Sequence, residues 1–191
     1  MPTVSLAFVA KMSLDDKSEE LMLKVDVEPD DNIDTISAKL AKRVENLRGK
    51  SVEKHGANSA IDVLAKLPNA IRVPIFAVIK FLDRRGLVPA SLMADTIYYS
   101  SMIVSNLGSI GCGAIYHNLA NFGSSSSLAT MGAINREPVY APDGTMELRD
   151  LCEFGITLDE RIGDGFYFAK SCRLIEYILQ NPELLEQPAS S

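Results

Sequence analysis

Tryptophan is absent from this 191-residue chain, histidine occurs twice and cysteine three times. Each scarcity removes a class of chemistry. His55, His117 and the scattered Cys112, Cys152 and Cys172 show no metal-ligand spacing, so no zinc site is expected. An odd cysteine count without paired spacing points to reduced thiols, not a disulfide framework. Positive charge is also short: 19 Lys and Arg stand against 25 Asp and Glu, a net charge of −6. That balance argues against an extended nucleic-acid surface, although a local basic patch for a small anion stays open. No apolar run is long enough to span a bilayer. The most apolar stretch, Ile71 to Leu82, is short and carries Arg72, Pro74 and Lys80, which suits packing against an apolar surface or a partner. Met1-Pro2-Thr3-Val4-Ser5-Leu6 has neither a basic n-region nor a long apolar h-region, so no secretory signal and a cytoplasmic location are expected.

What remains is ordinary globular material, 47% hydrophobic with a mean hydropathy of +0.07, enough for one domain with a sizeable core. Val4 to Met12 and Glu20 to Val27 read as two strands of a hairpin around the polar turn Leu14 to Ser18. Asp30, Asp31 and Asn32 can cap a helix whose apolar stripe is Ile33, Ile36, Leu40, Val44 and Leu47, ended by Gly49. Lys39, Lys42, Arg43, Arg48 and Lys50 give it a basic outer side, either a plain solvated face or a surface for an anion. Ser59 to Leu67 reads as a short helix stopped by Pro68. A second apolar helix is expected from Pro74, a residue suited to a first turn, to Gly86.

Ile97 to Val104 is the best candidate for a central strand. Ala129 to Ile134 and Met146 to Leu158 supply further strands around the turn Pro142-Asp143-Gly144-Thr145. A final helix is expected from Asp164 or Gly165 to Gln180, with Phe166, Ala169, Cys172, Arg173 and Tyr177 sharing much of one face. Gly108-x-x-Gly111-x-Gly113 is glycine-rich but is not the G-x-G-x-x-G of a dinucleotide loop, and a turn after a strand is the simpler reading.

Two segments carry the functional signal. Val104-Ser105-Asn106-Leu107-Gly108 resembles the SNLG strand end of the 2-oxoacid dehydrogenase acyltransferase catalytic domain. Asp159-Glu160-Arg161-Ile162-Gly163-Asp164-Gly165 resembles that family's Asp-His-Arg-x-x-Asp-Gly motif, shared in looser form with chloramphenicol acetyltransferase. Asn181-Pro182-Glu183-Leu184-Leu185 is similar to the end of the family helix. The likeness is strong from about Ile97 to Leu185 and weaker from Val4 to Leu92.

The resemblance implies an α/β fold of the CoA-dependent acyltransferase (chloramphenicol acetyltransferase-like) type, a two-layer mixed sheet with helices on one side. It implies trimers with active sites at subunit boundaries. Residues 1–188 then read as a single domain that lacks the N-terminal part of the family fold, and residues 189–191 as a frayed tail. Coenzyme A or acyl-CoA would be a substrate, with a small hydroxyl or thiol acceptor, and no resident cofactor is implied.

Within that frame the expected site residues are Glu160, Asp164 and Ser105. The family histidine is the general base that deprotonates the acceptor as it attacks the thioester. Here Glu160 takes its place. An unperturbed glutamate has a pKa of about 4 and is a weak base for an alcohol or thiol. It also differs from imidazole in reach. Glu160 is therefore open to three readings: a working base, a structural or ligand-contacting carboxylate, or a solvated residue.

Asp164 is expected to be architectural, its carboxylate accepting backbone N–H bonds at a helix start. Arg161 suits an ion pair or the surface, and Gly165 close packing at the helix start. Ser105 matches the hydroxyl near the developing oxyanion, or else simply terminates a strand. His117 stands in the loop after Ser105 and is either a compensating base or a surface and packing residue. Ser124 to Ser127 could border a CoA path by resemblance. The overall expectation is an acyltransferase-like domain with a degenerate site that binds a ligand or partner or forms a structural oligomer; the alternative is an active acyltransferase with Glu160 as base.

Overall fold

A computed structural model describes residues 4–11, 20–49, 66–90, 93 and 96–188. The expected turn at Leu14 to Ser18, most of the expected helix at Ser59 to Leu67, His55, Lys50 and the tail 189–191 lie outside the described residues.

Strands β1 (Val4–Lys11) and β2 (Glu20–Val27) form the expected antiparallel pair. Helix α1 (Ile33–Gly49) follows. Its start is fastened by side chains: Asn32 Oδ1 accepts from the Thr35 N–H at 2.9 Å, and the buried Asp31 accepts from the Glu28 N–H at 2.8 Å. Lys39, further along the helix, reaches back to Asp31 at 2.6 Å and to Glu28 at 3.1 Å. The Lys39 hydrogen bond, more than any other influence, holds the Asp31 carboxyl at about 2. Part of the basic side of α1 is thus committed to the body. Ile36, Leu40 and Val44 are half-buried as the stripe requires, while Ile33 is exposed.

Helix α2 spans Asn69–Arg84 and starts directly after Pro68, so Pro74 lies inside it and does not open it. The Pro68 carbonyl accepts from the N–H groups of Ile71 and Arg72 at 3.0 and 2.9 Å, closing a first turn that the Pro74 reading misses. The central strand is shorter than expected. Ile97–Tyr99 form a 3₁₀ turn, and β3 occupies Met102–Asn106. Strand β4 is far longer than expected, Ser127–Tyr140, and β5 is Met146–Leu158. Helix α3 (Gly165–Gln180) and a 3₁₀ turn (Pro182–Glu186) complete the chain.

The sheet is mixed, in the order β2-β1-β3-β4-β5, with parallel β1·β3 and β3·β4 pairs and antiparallel outer pairs. Its period of two sorts the side chains. Ala7 on β1, Ile103 on β3 and Leu128 on β4 are register partners on one face and form the core with Ile97, flanked by Val9, Tyr98 and Leu119. That face is covered by the turn before β3 and by the loop between β3 and β4. Past a register irregularity between Met131 and Ile134, β4 and β5 continue alone as a two-stranded ribbon. Ile134, Tyr140, Met146 and Leu148 on this ribbon are exposed. The expected face of α3 is not buried either: Phe166, Tyr177 and Cys172 face solvent, and Phe168, Ser171 and Ile178 are its half-buried positions.

Candidate active site

Ser105 sits near the end of the central strand, level with Val9 on one side and Thr130 on the other; Thr130 in turn is level with Gly155 on β5. The row Ser105–Thr130–Gly155 is the floor of the region. Ser105 is half-buried, and its hydroxyl has no hydrogen-bond partner among the described residues.

The segment after Ser105 is bound tightly across β4. Leu107 N–H donates to Met131 O at 2.9 Å, and Ala133 N–H to Cys112 O at 2.8 Å. Asn106 Oδ1 accepts from Ser109 N–H at 3.2 Å, shaping a 3₁₀ turn at Gly108–Ile110. A Cβ on Gly108 would lie 2.5 Å from Gly132 O, so the last residue of the SNLG stretch permits two backbones to touch.

Thr130, at 1% exposure the most deeply buried polar residue among those described, fixes the far end of this crossing. Its hydroxyl donates to Ile115 O at 2.5 Å and accepts from Ile115 N–H at 3.1 Å. Gly155 makes room: a Cβ there would collide with Ile115 O and lie 2.7 Å from Thr130 Oγ1. Sequence reasoning passed over both residues, although a lone glycine between Phe154 and Ile156 is a signal of close backbone approach. His117 is exposed two residues on, its Nδ1 2.8 Å from the neighbouring Asn118 O.

The Asp159–Gly165 motif forms the turn from β5 into α3. Asp159 N–H donates to Ser126 O at 2.9 Å, tying the turn to the residue before β4. Arg161 folds back on Asp159, with its backbone N–H at 3.0 Å and its Nε at 2.9 Å from the carboxylate. The Arg161 hydrogen bonds hold the Asp159 carboxyl at about 2. Arg161 therefore makes an ion pair, with Asp159 as its acceptor.

Asp164 is the N-cap of α3, accepting from Tyr167 N–H at 2.8 Å. This is the architectural role its position suggested. Within one chain Gly165 makes no close contact: a Cβ there would meet nothing within 4 Å. Glu160 is at the tip of the turn, exposed, and makes no hydrogen bond or ion pair among the described residues.

One chain does not bring Ser105 and Glu160 together. Leu158 is level with Ser127, three residues along β4 from Thr130, the partner of Ser105. Three residue rises and two strand spacings separate Ser105 from Leu158 by about 14 Å. The three cysteines are free, and no group of residues able to hold a metal ion occurs among those described.

A mixed five-stranded sheet, a serine at the end of its central strand and a capped polar turn after its edge strand define the class: an α/β domain built like a CoA-dependent acyltransferase. The family model for 2-oxoacid dehydrogenases acyltransferase (catalytic domain) matches residues 89–186, half of the chain, and the chain belongs to that family. No match is found among curated proteins.

Solved structures with similar folds include a probable dihydrolipoamide acetyltransferase from Listeria monocytogenes, 13% identical with a TM-score of 0.58, covering 95% of this chain and 57% of its own. The cubic core of the pyruvate dehydrogenase multienzyme complex is 14% identical at a TM-score of 0.58, covering 97% of this chain and 57% of its own. A dihydrolipoamide acetyltransferase of Azotobacter vinelandii, in which the catalytic roles of a serine, a histidine and an asparagine were investigated, is 14% identical at 0.59, with coverage of 97% and 57%. The chain thus spans little more than half the length of these structures. At such identities they speak to the fold alone.

Proposed function

We propose that this chain is a subunit of a homo-oligomer, a trimer by family resemblance, that keeps the acyltransferase scaffold without its general base and serves in ligand binding or assembly. The observation that carries this reading is Glu160. It occupies the histidine position of the motif at the exposed tip of a turn, with no partner among the described residues to orient its carboxylate. General-base catalysis needs a base within hydrogen-bond reach of the proton it removes, and a misplacement of about an ångström can cost roughly a hundredfold.

Two further features support the oligomer. Ser105 and the motif are too far apart in one chain to meet at a common reacting atom, so a complete site would draw on two subunits. The two-stranded ribbon of β4 and β5 exposes Ile134, Tyr140 and Leu148, and an isolated ribbon of this kind is marginally stable unless something packs against it. The ligand we assign to the site is acyl-CoA or CoA, with a small hydroxyl or thiol acceptor in the event of turnover.

The test is acyl-CoA turnover by the full natural protein beside Glu160→Ala and Glu160→His. We expect no turnover in the wild type and in the alanine variant, with activity emerging in the histidine variant if the pocket is otherwise intact. Robust wild-type activity abolished by both Glu160→Ala and Glu160→Gln would overturn this reading and establish Glu160 as an unusual base.

A further inference from the structure

Helix α2 has no buried residue, and it lies ahead of the family-matched segment. Its outer face is formed by Val73, Pro74, Ala77, Val78 and Phe81, spaced at threes and fours and all exposed, Val73 at 64% and Phe81 at 55%. Lys80, Arg84 and Arg85 surround the C-terminal end of that face and form no ion pair among the described residues. Arg85 lies over the Phe81 ring at 5.0 Å, which keeps its cation beside the apolar surface.

Asp83 is the sole acid of the helix, and it turns inward. Its two oxygens accept from Tyr99 Oη at 2.6 Å and from Gly123 N–H at 3.1 Å, fastening the helix end to the body. The outward surface is therefore apolar and purely cationic on a chain whose net charge is −6.

We propose that α2 docks on an anionic lipid surface, lying in the interface with Val73, Ala77, Val78 and Phe81 toward the acyl boundary and Lys80, Arg84 and Arg85 on the headgroup phosphates. The charge complementarity is local and opposes the charge of the whole molecule. Apolar bulk beside Lys and Arg is the composition of interfacial helices, whose long basic side chains can bury their stems while the charge stays at the headgroups. A helix of 16 residues is about 24 Å long. That length suits lying on a bilayer, and no helix among the described residues is long and apolar enough to cross one.

The experiment is co-sedimentation of the full chain with vesicles of phosphatidylcholine plus phosphatidylglycerol, and with vesicles of phosphatidylcholine alone. The expected result is binding to the anionic vesicles only, lost on raising the salt. Lys80→Gln with Arg84→Gln should weaken it on the order of thirtyfold. Val73→Asp, at a position already open to water, should abolish it, with unchanged circular dichroism and melting as the check on folding. Lys42→Gln with Arg43→Gln, exposed on α1, should leave it unchanged.

Absence of binding, equal binding to neutral vesicles, or an equal loss in the α1 variant would overturn the proposal. So would a wild-type oligomer that Val73→Asp dissociates in sedimentation velocity without any vesicle binding, which would assign the face to a second copy. None of these outcomes depends on whether Glu160 is catalytic.

Discussion

The far end of the crossing of residues 107–115, at Ile115, is seated by one hydroxyl and one missing methyl group, and both can be tested by stability. Replacing Thr130 by valine keeps the shape and removes the group that bonds Ile115 N–H and Ile115 O. A polar group left without a partner on burial costs about 1–3 kcal/mol. Two are affected here, but the Ile115 side chain is 49% exposed, so water can reach part of the loop. The expected loss is about 2 kcal/mol, or about 4–8 °C in Tm for a domain of this size.

Gly155→Ala attacks the same contact from the other side. Its Cβ would collide with Ile115 O and force that backbone to move by about an ångström. Overpacking of this kind costs about 1–3 kcal/mol, offset by about 0.5–1 kcal/mol because alanine loses less chain entropy than glycine. Both substitutions displace the same loop, so the double variant should lose clearly less than the sum, with a coupling of at least about 0.5 kcal/mol. Urea unfolding with an unchanged m-value is the assay, and Thr130→Ser, which keeps the hydroxyl, should recover most of the loss. A Thr130→Val effect below about 0.5 kcal/mol, or strict additivity in the double variant, would refute the proposed pinning of Ile115.

Two other predictions concern the motif turn. Asp164→Ala removes the N-cap bond to Tyr167 N–H and should cost about 1 kcal/mol, while Asp164→Asn, also a good cap, should cost a few tenths; equal losses would mean that charge, not capping, is what matters. The Asp159 carboxyl, held at about 2 in the folded chain by Arg161, has an unfolded value of about 3.9. Since the folded value is the lower one, the stabilisation is fully present above about pH 4 and disappears as the pH falls through about 2. Carboxyl NMR should give that low midpoint in the wild type and a normal one in Arg161→Met; a midpoint near 4 in both would disprove the ion pair's role.

Periodicity and turn chemistry exposed much of this fold in advance. The middle of the α1 stripe, the alternation of β2 and the cap at Asp164 are local signals, and the structure follows them. Elements set by distant contacts were less visible. The expected strand ends at Ile134, yet β4 continues through Pro138 to Tyr140, since that half of it has no partner on the β3 side and proline is tolerated at such an edge. Pro74 suggests a helix start when Pro68 is read only as the stop of the preceding helix, whereas its carbonyl accepts from two N–H groups and opens the next one. Thr130 has no local signature of its importance, and the glycine signal at Gly155 does not say what approaches, because what both hold, Ile115, is 15 and 40 residues away. The two motifs themselves were legible, but their distance across the sheet follows only from strand order and register.

The separation of Ser105 from Leu158, just before the motif, is set by strand register. The antiparallel pairing of β4 and β5 is continuous from Ser127↔Leu158 to Met131↔Phe154, and Gly155 must lie beside Thr130 for the Ile115 crossing to fit. Sliding β5 by three residues to bring the motif level with Ser105 would also turn each β5 side chain to the opposite face, since an odd shift inverts the pleat. Gly155 would leave its place under Ile115, and a side chain would enter it. The packing that seats the loop after Ser105 is thus the same packing that keeps Glu160 away from it. On the oligomer reading, a histidine introduced at position 160 would act on a partner subunit. Mixing chains that carry both Glu160→His and Ser105→Ala with chains that keep Ser105 and Glu160 should then give activity that neither has alone, provided that the Ser105 hydroxyl contributes to turnover. Activity confined to chains that combine Glu160→His with an intact Ser105 would place the whole site within one chain and contradict the register.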